Sequence, residues 1–358
     1  MYTFIPQQVE STAFRSLEFG QAAIATWNAQ ATAVKPDSIR LKEAASKGKR
    51  WGVILAGGDG TRLRSLTRVI SGDDRPKQFC PILGQHTLLE ESQYRAARSI
   101  TTEQTVLAVT RTHERFYLRE PGKAPYRRLV QPCNRGTAPP ILLSLLYISR
   151  HDKDAIVAVL PCDHYYSNEA SFTRSLESAF KIAGDRPKSV VILGAQPNGP
   201  EVEFGWIEVG APAAEGLFHV QGFQEKPTRD VAKRLFESGA LWNTFVMVGH
   251  VQAFLQMAWA AAPEILGSLE GILPAGLLSK EIHVPAAFYE AIPISDFSRQ
   301  ILSPGAKQLL ALRFNDMEWH DLGHPDRVVS VLRSRNDEFP PWMRRWEVLN
   351  RARVSPVA

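Results

Sequence analysis

Along residues 51–195, short runs of consecutive apolar positions alternate with longer stretches in which apolar residues recur every three or four places. The runs are "WGVILA", "TVLAVT", "AIVAVLP" and "SVVILG"; the longer stretches include "APPILLSLLYISR" and "SFTRSLESAFKIA". An apolar run without polar alternation predicts a strand buried on both faces, and the three-to-four spacing predicts a helix with one buried stripe. Strands and helices in alternation imply a largely parallel sheet covered by helices on both sides.

After Gly194 the rhythm changes. "FGWIEVG" and "GLFHVQGFQEKP" read as extended segments joined by a turn region rich in Gly, Pro and Ala, which predicts an antiparallel insertion. "TRDVAKRLFESG" follows as a helix stopped by Gly239, and helical spacing resumes in "VQAFLQMAWAAAP". Residues 1–50 show no sustained period; "KPDSIRLKEAASKGKR" could form one short helix leading into a linker. The division expected is therefore an N-terminal extension over 1–50, one domain over 51–332, and a basic, tryptophan-containing tail over 333–358.

Composition narrows the class. The chain of 358 residues is 44% hydrophobic and 22% charged, as in globular proteins that fold in water. Of the formal charge of +5, most sits in the first fifty residues, which hold seven Lys/Arg against four Asp/Glu. The remainder is nearly balanced, which argues against a nucleic-acid-coating surface. Cys80, Cys133 and Cys162 have neither zinc-site nor disulfide-framework spacing, and they suit a reducing cytoplasm. No membrane span or secretory leader is indicated.

The candidate chemistry begins at "LAGGDGTRL", where the first apolar run breaks into glycines. Glycines allow main-chain N–H groups to approach a bulky anion, and a following helix start favours negative charge. The loop is not the GxxxxGK[ST] phosphate loop, and Leu63 stands where a dinucleotide fingerprint would need its third glycine. Arg62 and then Lys77 in "RPKQF" supply two cations that could clamp a polyphosphate. Asp163 closes "AIVAVLPCD", at the strand end where α/β sheets place ligands and where a carboxylate could hold a hard cation.

"LAGGDGTRL" followed by "RPKQF" resembles the signature of the sugar-1-phosphate nucleotidyltransferases, most closely the mannose-1-phosphate guanylyltransferase type. "NRGTAPPI", "LPCDHY", "EFGWIEVG", "FQEKP", "LWNTFVMVG" and "WHDLG" resemble that family's successive motifs in order, over roughly residues 51–330. The resemblance implies a Rossmann-like, mainly parallel sheet flanked by helices, with an inserted antiparallel sugar-binding lobe. It implies transfer of a nucleotide from a nucleoside triphosphate, GTP by family preference, to a sugar 1-phosphate such as mannose 1-phosphate, with Mg²⁺ as cofactor and pyrophosphate released.

The same resemblance implies nucleotide contacts from Ala56, Gly57, Gly58, Gly60, Thr61, Arg135, Gly136 and Thr137. Arg62 would face the β,γ-phosphates and Lys77 the α-phosphate; Asp163 and Asp321, 158 residues apart, would share the Mg²⁺. Gly205, Glu225, Lys226 and Asn243 would hold the sugar phosphate. Asp59, an acid beside polyphosphate, is read as a turn former. His164 is read as structural, because the attacking sugar phosphate is already an anion and needs no base. Three segments depart from the family pattern: Gly136 replaces an asparagine, "WNTFVMVG" lacks the glycine of "WNSG", and "AIPISDFSRQIL" stands where the guanylyltransferases carry something like "SIDYAVME". Ser295 and Asp296 could fill part of that last role.

Three alternatives remain at this level: a nucleotidyltransferase of different base or sugar choice, a non-catalytic homologue that binds a nucleotide sugar and regulates a partner, and a nicotinamide-dependent oxidoreductase, which fails at the missing third glycine. Self-association is compatible with the sequence.

Overall fold

A computed structural model describes residues 50–118, 126–273, 279–335 and 339–354, all within one compact unit, Lys47–Ala358. The extension and the short helix expected before Arg50 lie outside the described residues. The strands are β1 (Arg50–Leu55), β2 (Thr105–Thr110), β3 (Arg127–Gln131), β4 (Ile156–Pro161), β5 (His164–Tyr166), β6 (Val190–Ala195), β7 (Gly205–Ala214), β8 (Leu217–Glu225), β9 (Leu241–His250), β10 (Glu281–His283), β11 (Leu309–Phe314) and β12 (Trp319–Asp321).

Ten of these strands form one sheet in the order β10-β3-β2-β1-β4-β9-β6-β11-β8-β7, and β5 and β12 form a separate pair. From β10 to β4 every neighbour is parallel. β9 then enters antiparallel between β4 and β6, while β11 is parallel to β6. The mixed α/β fold expected from the sequence is borne out. The antiparallel insertion is the hairpin β7–β8, joined to the main sheet through β11 on one side and through β9 on the other. The strands β9, β6, β11, β8 and β7 therefore close on themselves.

The apolar runs explain the layering. Successive residues of β4 serve opposite cores: Val157 and Val159 pack with Ile141, Leu142 and Leu145, whereas Ala158 and Leu160 pack with Phe172, Leu176 and Phe180. Local signals fix the covering helices. Helix Ala138–His151 opens on Pro139 and Pro140, whose fixed φ suits a first turn. Helix Leu88–Ala97 has a reciprocal cap, Glu90 N–H donating to Thr87 Oγ1 at 3.2 Å and Thr87 N–H to Glu90 Oε2 at 2.8 Å. Helix Glu169–Asp185 is capped by Asn168, which accepts from Ser171 N–H at 3.0 Å.

A third core lies beside the glycine loop. It gathers Leu63 and Leu66 after the loop, Leu322 beside Asp321, Val328 and Leu332 of helix Pro325–Ser334, and Trp342, Met343 and Trp346 of helix Pro341–Val354. The tryptophan-containing tail is thus packed at its start rather than exposed. Trp342→Ala should lower unfolding free energy by about 3 kcal/mol, the cost of a large buried cavity, read as a lower urea midpoint at unchanged slope.

Candidate functional site

The parallel strands β1, β2, β3 and β4 all end at one edge of the sheet, where open α/β sheets leave a crevice for ligands. A cleft of about 380 Å³ opens there, with a smaller one of about 220 Å³ beside it. Gly57, Gly58, Arg62, Lys77, Gly136, Thr137, Asp163, Gly205, Glu225, Lys226, Asn243 and Asp321 line the larger cleft, and Gly60 and Thr61 line the smaller. Ala56 and Arg135 line neither. Ala56 is buried and its carbonyl accepts from Gln78 Nε2 at 2.9 Å, while the Arg135 guanidinium is turned to the Glu290 carbonyl.

Close packing explains the glycines. A side chain at Gly57 would collide with the Gln131 amide, part of a buried chain in which Tyr289 Oη donates to Gln131 Oε1 at 2.6 Å. Gln131 Nε2 donates to Thr110 Oγ1 at 2.9 Å, and Thr110 Oγ1 donates to the Gly57 carbonyl at 2.8 Å. Gly60 has φ +57 and lies against the Lys77 main chain; Gly58 faces open space. Gly136 has φ +84 and sits on the Ser295 carbonyl, with its N–H donating to Asn134 Oδ1 at 2.9 Å. The glycine that stands for the family's asparagine therefore serves a left-handed turn. Asp59 accepts from Asn134 Nδ2 at 3.0 Å, which ties the two loops together.

The two distant aspartates meet through strand pairing. In the antiparallel pair β5–β12, Asp321 lies directly across from His164, so it arrives beside Asp163. Lys77 Nζ sits between the two carboxylates, 2.9 Å from Asp163 Oδ2 and 3.5 Å from Asp321 Oδ1, and donates to the Leu322 carbonyl at 3.0 Å. Burial works against the lysine's charge, but Asp163 and Asp321 outweigh it and raise the amine above its ordinary value. Burial would raise the Asp163 carboxyl, and Lys77 with His164 reverses this to hold it below its ordinary range. Asp163 and Asp321 face one cation, Lys77 Nζ, from two sides, and hard carboxylate oxygens so placed could hold a divalent ion.

His164 accepts from Trp319 Nε1 through Nδ1 at 3.2 Å, which leaves Nε2 to carry the proton toward Asp163, 3.8 Å away. Burial lowers the imidazole's proton affinity, so the ring is neutral at pH 7. On the wall opposite the glycine loop, Gly205 leaves space that Glu225 fills: a Cβ there would lie 2.6 Å from Glu225 Oε2. Burial, reinforced by Asp296, raises the Glu225 carboxyl.

Sequence reasoning did not single out Arg327, Glu203, Gln131 or Trp319. Arg327 pairs with Glu201 Oε2 at 2.8 Å and Glu203 Oε2 at 3.1 Å, and lies 3.8 Å from Asp321 Oδ2. Arg62 also reaches Glu203, at 3.3 Å. The one available signal was composition: "EVEF" places two acids just before Gly205, and acids held close together need cations beside them.

With this geometry in hand, comparison with known proteins is informative. The family model for nucleotidyl transferases matches residues 51–337. The chain belongs to the nucleotidyl transferase family. It is 32% identical over 285 residues to the xanthan biosynthesis protein XanB of Xanthomonas campestris pv. campestris, covering 78% of this chain and 58% of XanB. It is 28% identical over 280 residues to a mannose-1-phosphate guanylyltransferase of Klebsiella pneumoniae, covering 76% of this chain and 57% of that enzyme. The chain thus spans somewhat under three fifths of these relatives' length. The crystal structure of "mannose-1-phosphate geranyltransferase" from Thermus thermophilus superposes with a TM-score of 0.69 at 28% identity, covering 80% of each chain. Among the described residues, no helix is long and apolar enough to cross a membrane.

The ion-pair cluster fixes a pH dependence. A carboxyl held below its unfolded value contributes stability that is present above about pH 4 and lost as pH falls through its folded value. A lysine held above its unfolded value contributes stability present below about pH 10.4 and lost as pH rises through its folded value. In chelator, wild-type urea midpoints should be flat across neutral pH and fall on acidification. In Lys77→Met the buried Asp163 loses its partner, so the acid-side fall should shrink or reverse; an unchanged acid limb would show that the pair is not formed.

Proposed function

We propose that this chain transfers a nucleotide from a nucleoside triphosphate to a sugar 1-phosphate, with GTP and mannose 1-phosphate as the favoured pair. The observation that carries this reading is the Asp163–Lys77–Asp321 cluster on the floor of a cleft with a bare glycine loop on one wall and Glu225, Lys226 and Asn243 on the other. The name of the Klebsiella relative, a mannose-1-phosphate guanylyltransferase, supports the choice of substrates at the level of family resemblance.

In this mechanism an oxygen of the sugar 1-phosphate attacks the α-phosphorus, the α–β bridging bond breaks, and pyrophosphate leaves carrying the electron pair. The loop from Gly57 to Thr61 offers main-chain N–H groups to the β,γ-phosphates, and Arg62, half exposed at the rim, closes over them. Lys77, already charged and buried, stabilises negative charge that builds on the α-phosphate without having to be desolvated during the reaction. Asp163 and Asp321 would hold Mg²⁺, which supplies charge neutralisation at that phosphate. Glu225 and Asn243 orient the sugar hydroxyls, and Lys226 holds the 1-phosphate. The nucleophile arrives as an anion and needs no base, so His164 stays neutral, bonded to Trp319.

Incubated with Mg²⁺, GTP and mannose 1-phosphate, the protein should release pyrophosphate, and a chelator should stop it. Asp163→Asn and Asp321→Asn should each lower kcat by about 10²- to 10³-fold with circular dichroism unchanged. Undiminished turnover in both variants would remove them from the reaction. A panel of the other triphosphates and hexose 1-phosphates reads out the substrate choice.

A further inference from the structure

Among the described residues, the non-glycine residues with positive φ are Lys226 at +50° and Phe245 at +60°, and both line the cleft. Left-handed backbone is costly for a bulky side chain and persists only where the surroundings enforce it. Phe245 occupies the position at which the resembling family carries the glycine of "WNSG", and its φ lies where glycine is favoured.

The enforcing contacts are built into β9. Opposite β6, the register slips between Ile192 and Gly194, whose partners are Met247 and Asn243, so Thr244, Phe245 and Val246 bulge against Leu193 alone. Phe245 N–H donates to Asn243 Oδ1 at 2.9 Å, and Thr244 Oγ1 donates to the Leu193 carbonyl at 2.7 Å in place of the lost ladder bond. The ring meets the fully buried Phe297 edge to face, with centroids 6.5 Å apart and planes at 76°. Phe297 is in turn pinned by its N–H donating to Thr137 Oγ1 at 2.8 Å. The phenyl is therefore a partly buried ring braced on Phe297, on the wall of a cleft that Asn243, Thr137, Glu225 and Lys226 also line.

The geometry points to Phe245 as a specificity-determining residue: its ring is the platform for the apolar C–H face of the hexose, whose hydroxyl edges are left to Asn243 and Glu225. This rests on the hexose 1-phosphate reading above. A pyranose presents one largely apolar face and a polar rim, the pattern of an aromatic wall with a few placed polar groups. The strained turn is retained because the ring, not the backbone, is what the site uses.

The test compares Phe245→Leu, which keeps apolar bulk without the flat face, with Phe245→Tyr, which keeps the ring. Phe245→Leu should raise KM for mannose 1-phosphate by about three- to tenfold, the range for one aromatic contact, with KM for GTP changed less than about twofold and Phe245→Tyr near wild type. Equal changes for both substrates, or none, would overturn the platform. Calorimetric titration with mannose 1-phosphate and glucose 1-phosphate separates the two readings. Binding without turnover, weakened by the same factor only in Phe245→Leu, would sink the proposed activity and keep the platform; no hexose phosphate binding by wild type would sink both.

Discussion

A register in a two-strand ribbon holds the site together. Because Asp321 pairs with His164 and not with a neighbour, two carboxylates from distant parts of the chain reach the same lysine. A slip of one residue would turn Asp321 to the opposite face of the ribbon, since side chains alternate with a period of two. Lys77 would then sit buried beside a single acid, and the floor of the cleft would lose its balance of charge. Trp319, two residues before Asp321 on the same strand, guards against that slip by packing against Phe204 and Trp242 and by bonding His164.

Around this floor the two walls are made differently. The glycine wall depends on absence: Gly57 and Gly60 leave room for Gln131 and the Lys77 backbone, and Gly58 has open space where a side chain would stand. The opposite wall depends on enforced presence, with Glu225 seated where Gly205 has no side chain and Phe245 held by a side-chain-pinned bulge. Both line one cleft, with the Asp163–Lys77–Asp321 cluster also in its lining.

Much of the fold was legible in the apolar runs. β1, β2, β4 and β6 coincide with "WGVILA", "TVLAVT", "AIVAVLP" and "SVVILG" because strands buried on both faces need no polar alternation. β9 is harder to read. Its bulge at Thr244–Val246 interrupts the period, and its reversed direction between β4 and β6 leaves no local mark. Likewise, the meeting of Asp163 with Asp321 follows from pairing across 158 residues, which only motif order suggested. Arg327 was invisible for a related reason: its role comes from Glu201, Glu203 and Asp321 converging on it in space, and nothing in "HPDRVV" announces that. The glycine at 136 was read as a departure, yet its φ of +84 makes it the residue the turn requires.

The third core gives the end of the chain an unexpected job. Leu63 and Leu66 carry the helix that begins where the glycine loop ends, Leu322 adjoins Asp321, and Trp342 and Trp346 are buried in the same core. The terminal helix thus packs into the same core as the segment after the glycine loop and the residue next to one of the two acids, so aromatic bulk contributed from more than 270 residues downstream of the loop buttresses both.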